Sequence, residues 1–284
     1  MIVIKRILIP LDPSPYSKST LNLACIIAKV YDAELTGLVI LDIPGIEESI
    51  GPIPMGGLYY AEKLEKEKKE EAQKRIEGLL KDFEKKCVKE KIKYQVAERQ
   101  GSPSNQILKE SIYYDLVMIG LRTYFNFETS EEYGASLDNL LKESITPIYG
   151  IPEIIPFADK PDRKIRILLA FDGSPLAARA MQRFTQLVDP DLFEITLLNA
   201  SEDREEGDFI LTQAEKYLKS HGIKNIKKEW TSENIIDVVE KEYYDKMDGF
   251  VVGAHAAEGI FDFFVGSLTK FLVKRGKKLV FIGK

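Results

Sequence analysis

The sequence predicts an α/β protein built from two tandem open parallel sheets, each sandwiched between helices in an αβα arrangement. Three observations predict it. The segment Arg6–Pro15 reads RILIPLDPSP and Arg166–Pro175 reads RILLAFDGSP, an offset of 160. A second echo pairs Asp115–Gly120 (DLVMIG) with Asp248–Gly253 (DGFVVG), at an offset of 133. Around these echoes, short apolar runs alternate with segments of helical period, the pattern of strands joined by crossover helices. Two copies of one unit explain both echoes, with more residues between them in the first copy. The expected boundaries are a first domain at 1–152, a linker at 153–164 and a second domain at 165–284; Pro152–Lys164 carries three prolines and three acidic residues.

In the first copy, the β-branched run Ile2–Pro10 suits a strand buried on both faces. Ser17–Tyr31 places Leu21, Ala24, Ile27 and Ala28 near helical spacing, and Glu34–Leu41 is the second strand. Ile43–Leu58, rich in Gly and Pro, is expected to be a loop. Tyr60–Glu90 is a long helix whose apolar stripe is Ala72, Ile76, Leu79, Leu80, Phe83 and Cys87, with a solvated Glu/Lys face. Lys93–Glu98 is a strand, Asn105–Tyr114 a helix, Leu116–Ile119 a strand, Ser136–Glu143 a helix and Pro147–Ile151 a short last strand. The second copy repeats the order. Strands are expected at Ile165–Phe171, Glu194–Asn199, Asn225–Trp230, Gly249–Val252 and Lys278–Ile282. Helices are expected at Leu176–Leu187, Asp208–Ser220, Glu233–Tyr244 and Ser267–Lys274.

Composition narrows the function. The chain has 284 residues, 44% of them hydrophobic, enough for packed cores. Forty basic against 45 acidic residues give a net charge of −5, which argues against a nucleic-acid binder relying on a basic surface. Two cysteines, Cys25 and Cys87, make no disulfide framework and no zinc pattern; buried free thiols in a reducing compartment are expected. No run of about 18 apolar residues free of charge occurs, so no membrane partner and a cytoplasmic location are expected.

The segment with the most chemistry is Val251–Thr269, VVGAHAAEGIFDFFVGSLT. A buried strand ends at Gly253, a loop follows, and Gly266-Ser267 opens a helix. Glycine allows close backbone approach, and a helix amino end offers unpaired N–H groups and a favourable dipole to phosphate. Ser267 either caps the helix or donates its hydroxyl to phosphate, and an ordinary Gly-Ser helix start gives the same pattern.

With these residues, the chain resembles a tandem universal stress protein, two such domains in one chain. ATP-binding members of that family carry Gly-x2-Gly-x9-Gly-Ser/Thr after the fourth strand. Here the pattern is Gly253, then Ala256 in place of the second glycine, then nine residues, then Gly266-Ser267. Asp248, VVGAH and Phe171-Asp172-Gly173-Ser174 are also similar to the family. The resemblance implies a Rossmann-like sandwich of the adenine nucleotide alpha hydrolase-like type. It also implies an adenine nucleotide, ATP with or without Mg2+, as the ligand. By that resemblance Asp172 touches adenine or ribose and Ala200 lines the adenine pocket through its backbone. Gly253, Ala256, Gly266 and Ser267 surround ribose and phosphates. On residue chemistry alone, Asp172 is equally a turn residue at the start of the first helix.

Departures from the pattern are informative. Ala256 disfavours a positive φ, and the loop carries Glu258 and Asp262 with no Lys or Arg. The first copy departs further: Thr123 stands for the second glycine, one residue is inserted before Gly134, and Ala135 precedes Ser136. Its loop aromatics Tyr124, Phe125 and Phe127 suit packing better than stacking on a base. His221 is expected near a helix end and His255 in the phosphate loop, facing phosphate or solvent. No Walker lysine or catalytic triad is present, so an enzyme is not expected, and slow incidental ATP hydrolysis would not alter that. Two functions follow: a cytoplasmic stress-response or regulatory protein with its nucleotide site mainly in the second domain, or a non-nucleotide interaction scaffold of the same fold. Because single-domain members of the family dimerise through last strands, Thr146–Ile151 and Lys278–Ile282 are expected to join the copies as an intramolecular pseudo-dimer, with further homo-oligomerisation left open.

Overall fold

The computed structural model describes residues 4–53, 55, 57–122, 135–155, 157, 163–253 and 265–284. The first half runs β1 (Arg6–Pro10), α1 (Pro15–Tyr31), β2 (Glu34–Leu41), α2 (Ile43–Ile50), α3 (Leu58–Glu90), β3 (Tyr94–Gln100), α4 (Pro103–Ser111), β4 (Leu116–Gly120), α5 (Ala135–Glu143) and β5 (Ile148–Ile151). The second runs β6 (Ile165–Ala170), α6 (Pro175–Leu187), a 3-10 turn at Pro190–Leu192, β7 (Phe193–Ala200), α7 (Arg204–Ser220), β8 (Ile226–Thr231), α8 (Ile235–Val238), β9 (Gly249–Gly253), α9 (Val265–Arg275) and β10 (Leu279–Gly283).

Among the described residues, ten strands join one sheet in the order β3-β2-β1-β4-β5-β10-β9-β6-β7-β8. Each half has the order 3-2-1-4-5, so the chain reverses direction across the sheet between β1 and β4, and again between β6 and β9. Every pairing is parallel except at the seam, where β5 and β10 run antiparallel with Val280 opposite Gly150 and Ile282 opposite Ile148. The two copies therefore pack through their last strands, as expected for a pseudo-dimer. Leaving those strands unpaired would expose two edges of free N–H and C=O groups.

The apolar residues of α1, α3, α6 and α7 cover one face of the sheet, and those of α4, α5, α8 and α9 the other. Both cores run across the seam without interruption. Phe281 on β10 stands edge-on to Tyr149 of β5 at 6.2 Å and to Phe184 of α6 at 5.5 Å. The helix ends are tied across the seam too. Arg122 of the first half donates to the Lys274 carbonyl at the end of α9, and Lys284 donates to the Leu141 carbonyl at the end of α5. Cations suit these negative helix termini.

The elements differ from expectation in two places. Residues 43–50 form α2, not a loop. Asp42 accepts the Gly45 N–H at 3.0 Å as a cap, proline sits in the first turn, and Ile46 is fully buried. Proline is tolerated there because that N–H has no helical partner, so the Gly/Pro content misled. The expected helix Glu233–Tyr244 is shorter. It is capped by Asn234 and widens after Val238 into a π turn at Val239–Tyr243. The stripe on α3 is buried at Ala72, Ile76, Phe83 and Cys87, while Leu79 and Leu80 are half-buried.

Candidate functional site

In open α/β sheets the ligand crevice lies outside the carboxyl ends of the strands where the chain reverses direction. In the second half that place lies between β6 and β9. Beyond β6 the chain turns through Phe171-Asp172-Gly173-Ser174 into α6. Ser174 caps the helix, accepting the Ala177 N–H at 3.2 Å. Asp172 accepts the Ser174 N–H at 2.9 Å, closing a turn of the kind Asp favours. Gly173 adopts φ +80°, a conformation that suits glycine. The carboxylate of Asp172 is exposed at the mouth of the crevice while held by this turn, so its turn role and a ligand role are compatible.

On the other side of the crevice, Gly253 ends β9 against the first turn of α6. A Cβ there would lie 2.9 Å from the Leu176 carbonyl carbon and 3.1 Å from the Ala177 nitrogen. Glycine thus has a packing duty independent of any ligand. The Gly253 carbonyl accepts the Thr269 hydroxyl at 3.2 Å, which ties the second turn of α9 to the end of β9. Helix α9 begins at Val265, so Gly266 and Ser267 fall in its first turn and Ser267 is not the cap. Gly266 is buried and Ser267 half-buried. Their N–H groups belong to the set that lacks intrahelical acceptors. Ala256 and His255 lie outside the described residues.

Ala200 is the last residue of β7 and half-buried. Its neighbours fix it in a way the sequence did not announce. Buried Asn199 donates to the Phe171 carbonyl at 2.9 Å and accepts the Ser201 hydroxyl at 2.7 Å. The Trp230 indole donates to Ser201 at 3.1 Å, and Gly207 leaves room for that ring. The network pins the ends of β6, β7 and β8 together. An asparagine ending a buried strand and a lone tryptophan were the available signals.

The first half repeats this plan with changes. Gly120 packs against the first turn of α1 as Gly253 does against α6; a Cβ there would meet that of Tyr16 at 2.6 Å. Asp12 is buried and accepts both the Ser14 N–H and its hydroxyl, at 3.2 and 2.7 Å. Pro13 stands where the second half has Gly173. The buried leucines Leu137 and Leu268 match the two last helices and pair Ala135 with Gly266 and Ser136 with Ser267. Ser136 follows Gly120 by 16 positions and Ser267 follows Gly253 by 14, so the first loop is two residues longer, the inserted residue and Ala135 together. Tyr124, Phe125, Phe127 and Gly134 lie outside the described residues.

Asp248 belongs to the opposite, amino edge of the sheet. It is buried, grips Arg163 through both oxygens at 2.6 and 2.7 Å, and accepts the Arg166 N–H. Burial pushes its carboxyl upward, but the Arg163 hydrogen bonds, the Arg166 amide and both guanidinium charges outweigh this and hold it below the usual range. Asp115 does the same work in the first half, accepting the N–H groups of Lys5 and Arg6. Both echo aspartates therefore fasten strands rather than bind ligand. His221 caps the carboxyl end of α7, and Cys25 and Cys87 are buried free thiols, all as expected. Among the described residues no group of three or more His, Cys, Asp or Glu could hold a metal, and no helix is long and apolar enough to cross a membrane.

Residues 4–125 match the Universal stress protein family. A search of the curated proteins finds no match. Among solved structures, a universal stress protein from Archaeoglobus fulgidus is 20% identical, with 98% of each chain covered and a TM-score of 0.68. A functionally unknown protein from Pseudomonas aeruginosa is 12% identical over 99% of this chain and 93% of its own, with a TM-score of 0.60. A universal stress protein from Archaeoglobus fulgidus in complex with dAMP is 14% identical over 53% of this chain and 99% of its own, with a TM-score of 0.36. The first two likenesses show the fold across the whole chain.

Proposed function

We propose, from the premise that the first half belongs to the universal stress protein family and both halves carry its fold, that this chain is a cytoplasmic regulatory protein binding an adenine nucleotide in its second half. The observation that carries the reading is the Thr269–Gly253 bond, which ties the second turn of α9 to the end of β9 at the point where the strand order reverses. The N–H groups of Gly266 and Ser267, in the first turn of α9, then serve the phosphates. Asp172 and the backbone of Ala200 serve ribose and adenine, and Ala256 completes the loop. The ligand is ATP. Because the intervening loop carries Glu258 and Asp262 and no cation, Mg2+ bridging carboxylate and phosphate strengthens binding. No catalytic residue is assigned.

The test is to denature freshly purified protein and identify released nucleotide by mass spectrometry. An adenine nucleotide near one per chain supports the reading; an empty preparation that also fails to bind ATP at millimolar concentration defeats it. A second reading, an interaction scaffold, is favoured by the exposed side chains of Ile53, Met55, Leu58, Tyr59, Tyr60 and Leu64 around the start of the 33-residue α3. An empty protein whose Tyr59→Ser/Tyr60→Ser variant loses a co-purifying partner would select it.

A further inference from the structure

At the seam, the amino end of β5 lies beside the carboxyl end of β10, and the crevice above that junction is walled by α6 on one side and the end of α5 on the other. It holds about 660 Å³, within the usual range for small-ligand sites. Its polar lining is Lys142 in the last turn of α5, Ser144 just after that helix, Arg179, Gln182, Arg183 and Gln186 on α6, and Lys284 after β10. No acidic side chain lines it among the described residues.

Four cations converging on one concavity is notable in a chain of net charge −5. Arg179 and Arg183 are one helical turn apart and present their guanidinium forks on the same face of α6. Neither has an ion pair or hydrogen-bond partner among the described residues. The cluster is also particular to one copy: at an offset of 160, α1 carries Ser19 and Leu23 where α6 carries Arg179 and Arg183. The repeat alone therefore does not account for it. Lys284 is held in place by its bond to the Leu141 carbonyl. Burial pushes its ammonium down to about 8, and an anion in the crevice would offset that desolvation.

We propose that the seam crevice binds a small anion bearing two or more phosphate groups, gripped by Arg179 and Arg183 against a wall formed by Lys142 and Lys284. Guanidinium forks match phosphate oxygens two at a time, and the amides of Gln182 and Gln186 add donors beside them. Contact between the halves builds the site, since neither half alone supplies both walls. It does not rest on the nucleotide reading of the α9 site.

The probe is inorganic pyrophosphate, titrated calorimetrically into the full chain. The expected result is saturable binding that weakens at least about tenfold in Arg179→Gln/Arg183→Gln. A control with the same loss of charge on α3, Lys85→Gln/Lys89→Gln, changes it less than about twofold. Gly266→Val leaves it intact. Absent binding in the wild type, equal loss in both double variants, or loss in Gly266→Val with retention in the arginine pair would each overturn the proposal. So would arginine-dependent binding of a single-stranded RNA oligomer without binding of pyrophosphate, which would point to a polymer surface.

Discussion

The hydroxyl of Thr269 donates to the carbonyl of Gly253, sixteen positions back along the chain, at 3.2 Å. It spans the loop 254–264 and fixes where α9 starts relative to β9. Thr269→Val keeps the shape and removes the donor. We expect a loss of about 1 kcal/mol in urea unfolding and weaker ATP binding, with Thr269→Ser recovering both. Unchanged affinity in Thr269→Val would show that the bond does not position the site.

Gly120 and Gly253 are expected to fail in the same way when substituted. Gly253→Ala brings a Cβ within 2.9 Å of the α6 backbone, and Gly120→Ala brings one within 2.6 Å of the Tyr16 Cβ. Neither neighbour is the far end of a flexible chain. Each variant should lose about 2 kcal/mol by denaturant unfolding, with or without nucleotide present. A stable Gly253→Ala protein that merely loses ATP would show that the glycine serves ligand rather than packing.

The fold was legible because its signals are local. Buried parallel strands read as apolar runs, and RILIPLDPSP and RILLAFDGSP declared the copies. What stayed hidden depends on contacts between distant segments. Asp115 and Asp248 receive N–H groups from β1 and β6, so their role appears only once β4 is known to lie beside β1 and β9 beside β6. Helix α2 was hidden by its own Pro44 and Gly45, although Asp42 and Ile46 specify it. At the candidate site, Gly253, Gly266 and Ser267 were nameable from the strand–loop–helix pattern, and Asp172 and Ala200 only from the family resemblance. Asn199, Ser201 and Trp230 were not, because their network joins three strand ends.

The Asp248–Arg163 pair gives a prediction about pH. The folded carboxyl titrates below its ordinary value, so its stabilisation is fully present above about pH 4. It is lost as pH falls through the lowered folded value. Arg163→Met leaves a buried carboxylate with one guanidinium fewer and should cost about 2 kcal/mol at neutral pH. That cost should be the same at pH 8 and pH 6 and shrink below about pH 4 in thermal unfolding. A cost that grows on acidification would contradict the pairing.

The seam predicts cooperative unfolding. Trp230 is the lone tryptophan and reports on the second half, whereas far-UV circular dichroism reports on both. One continuous sheet with cores crossing the seam should give coincident urea transitions by the two probes. Phe281→Ala, which removes the ring facing Tyr149 and Phe184, should lower the midpoint by an amount equivalent to about 3 kcal/mol and begin to separate the two curves. Separate transitions in the wild type would mean that the halves are energetically independent.

The most direct test of the central claim is the stoichiometry of ATP binding by calorimetry, with Mg2+, in the wild type, Gly266→Val and Ala135→Val, each checked for folding by circular dichroism. The account predicts one site per chain, abolished by Gly266→Val and retained in Ala135→Val. Two equivalent sites, or binding that survives Gly266→Val and disappears in Ala135→Val, would contradict it.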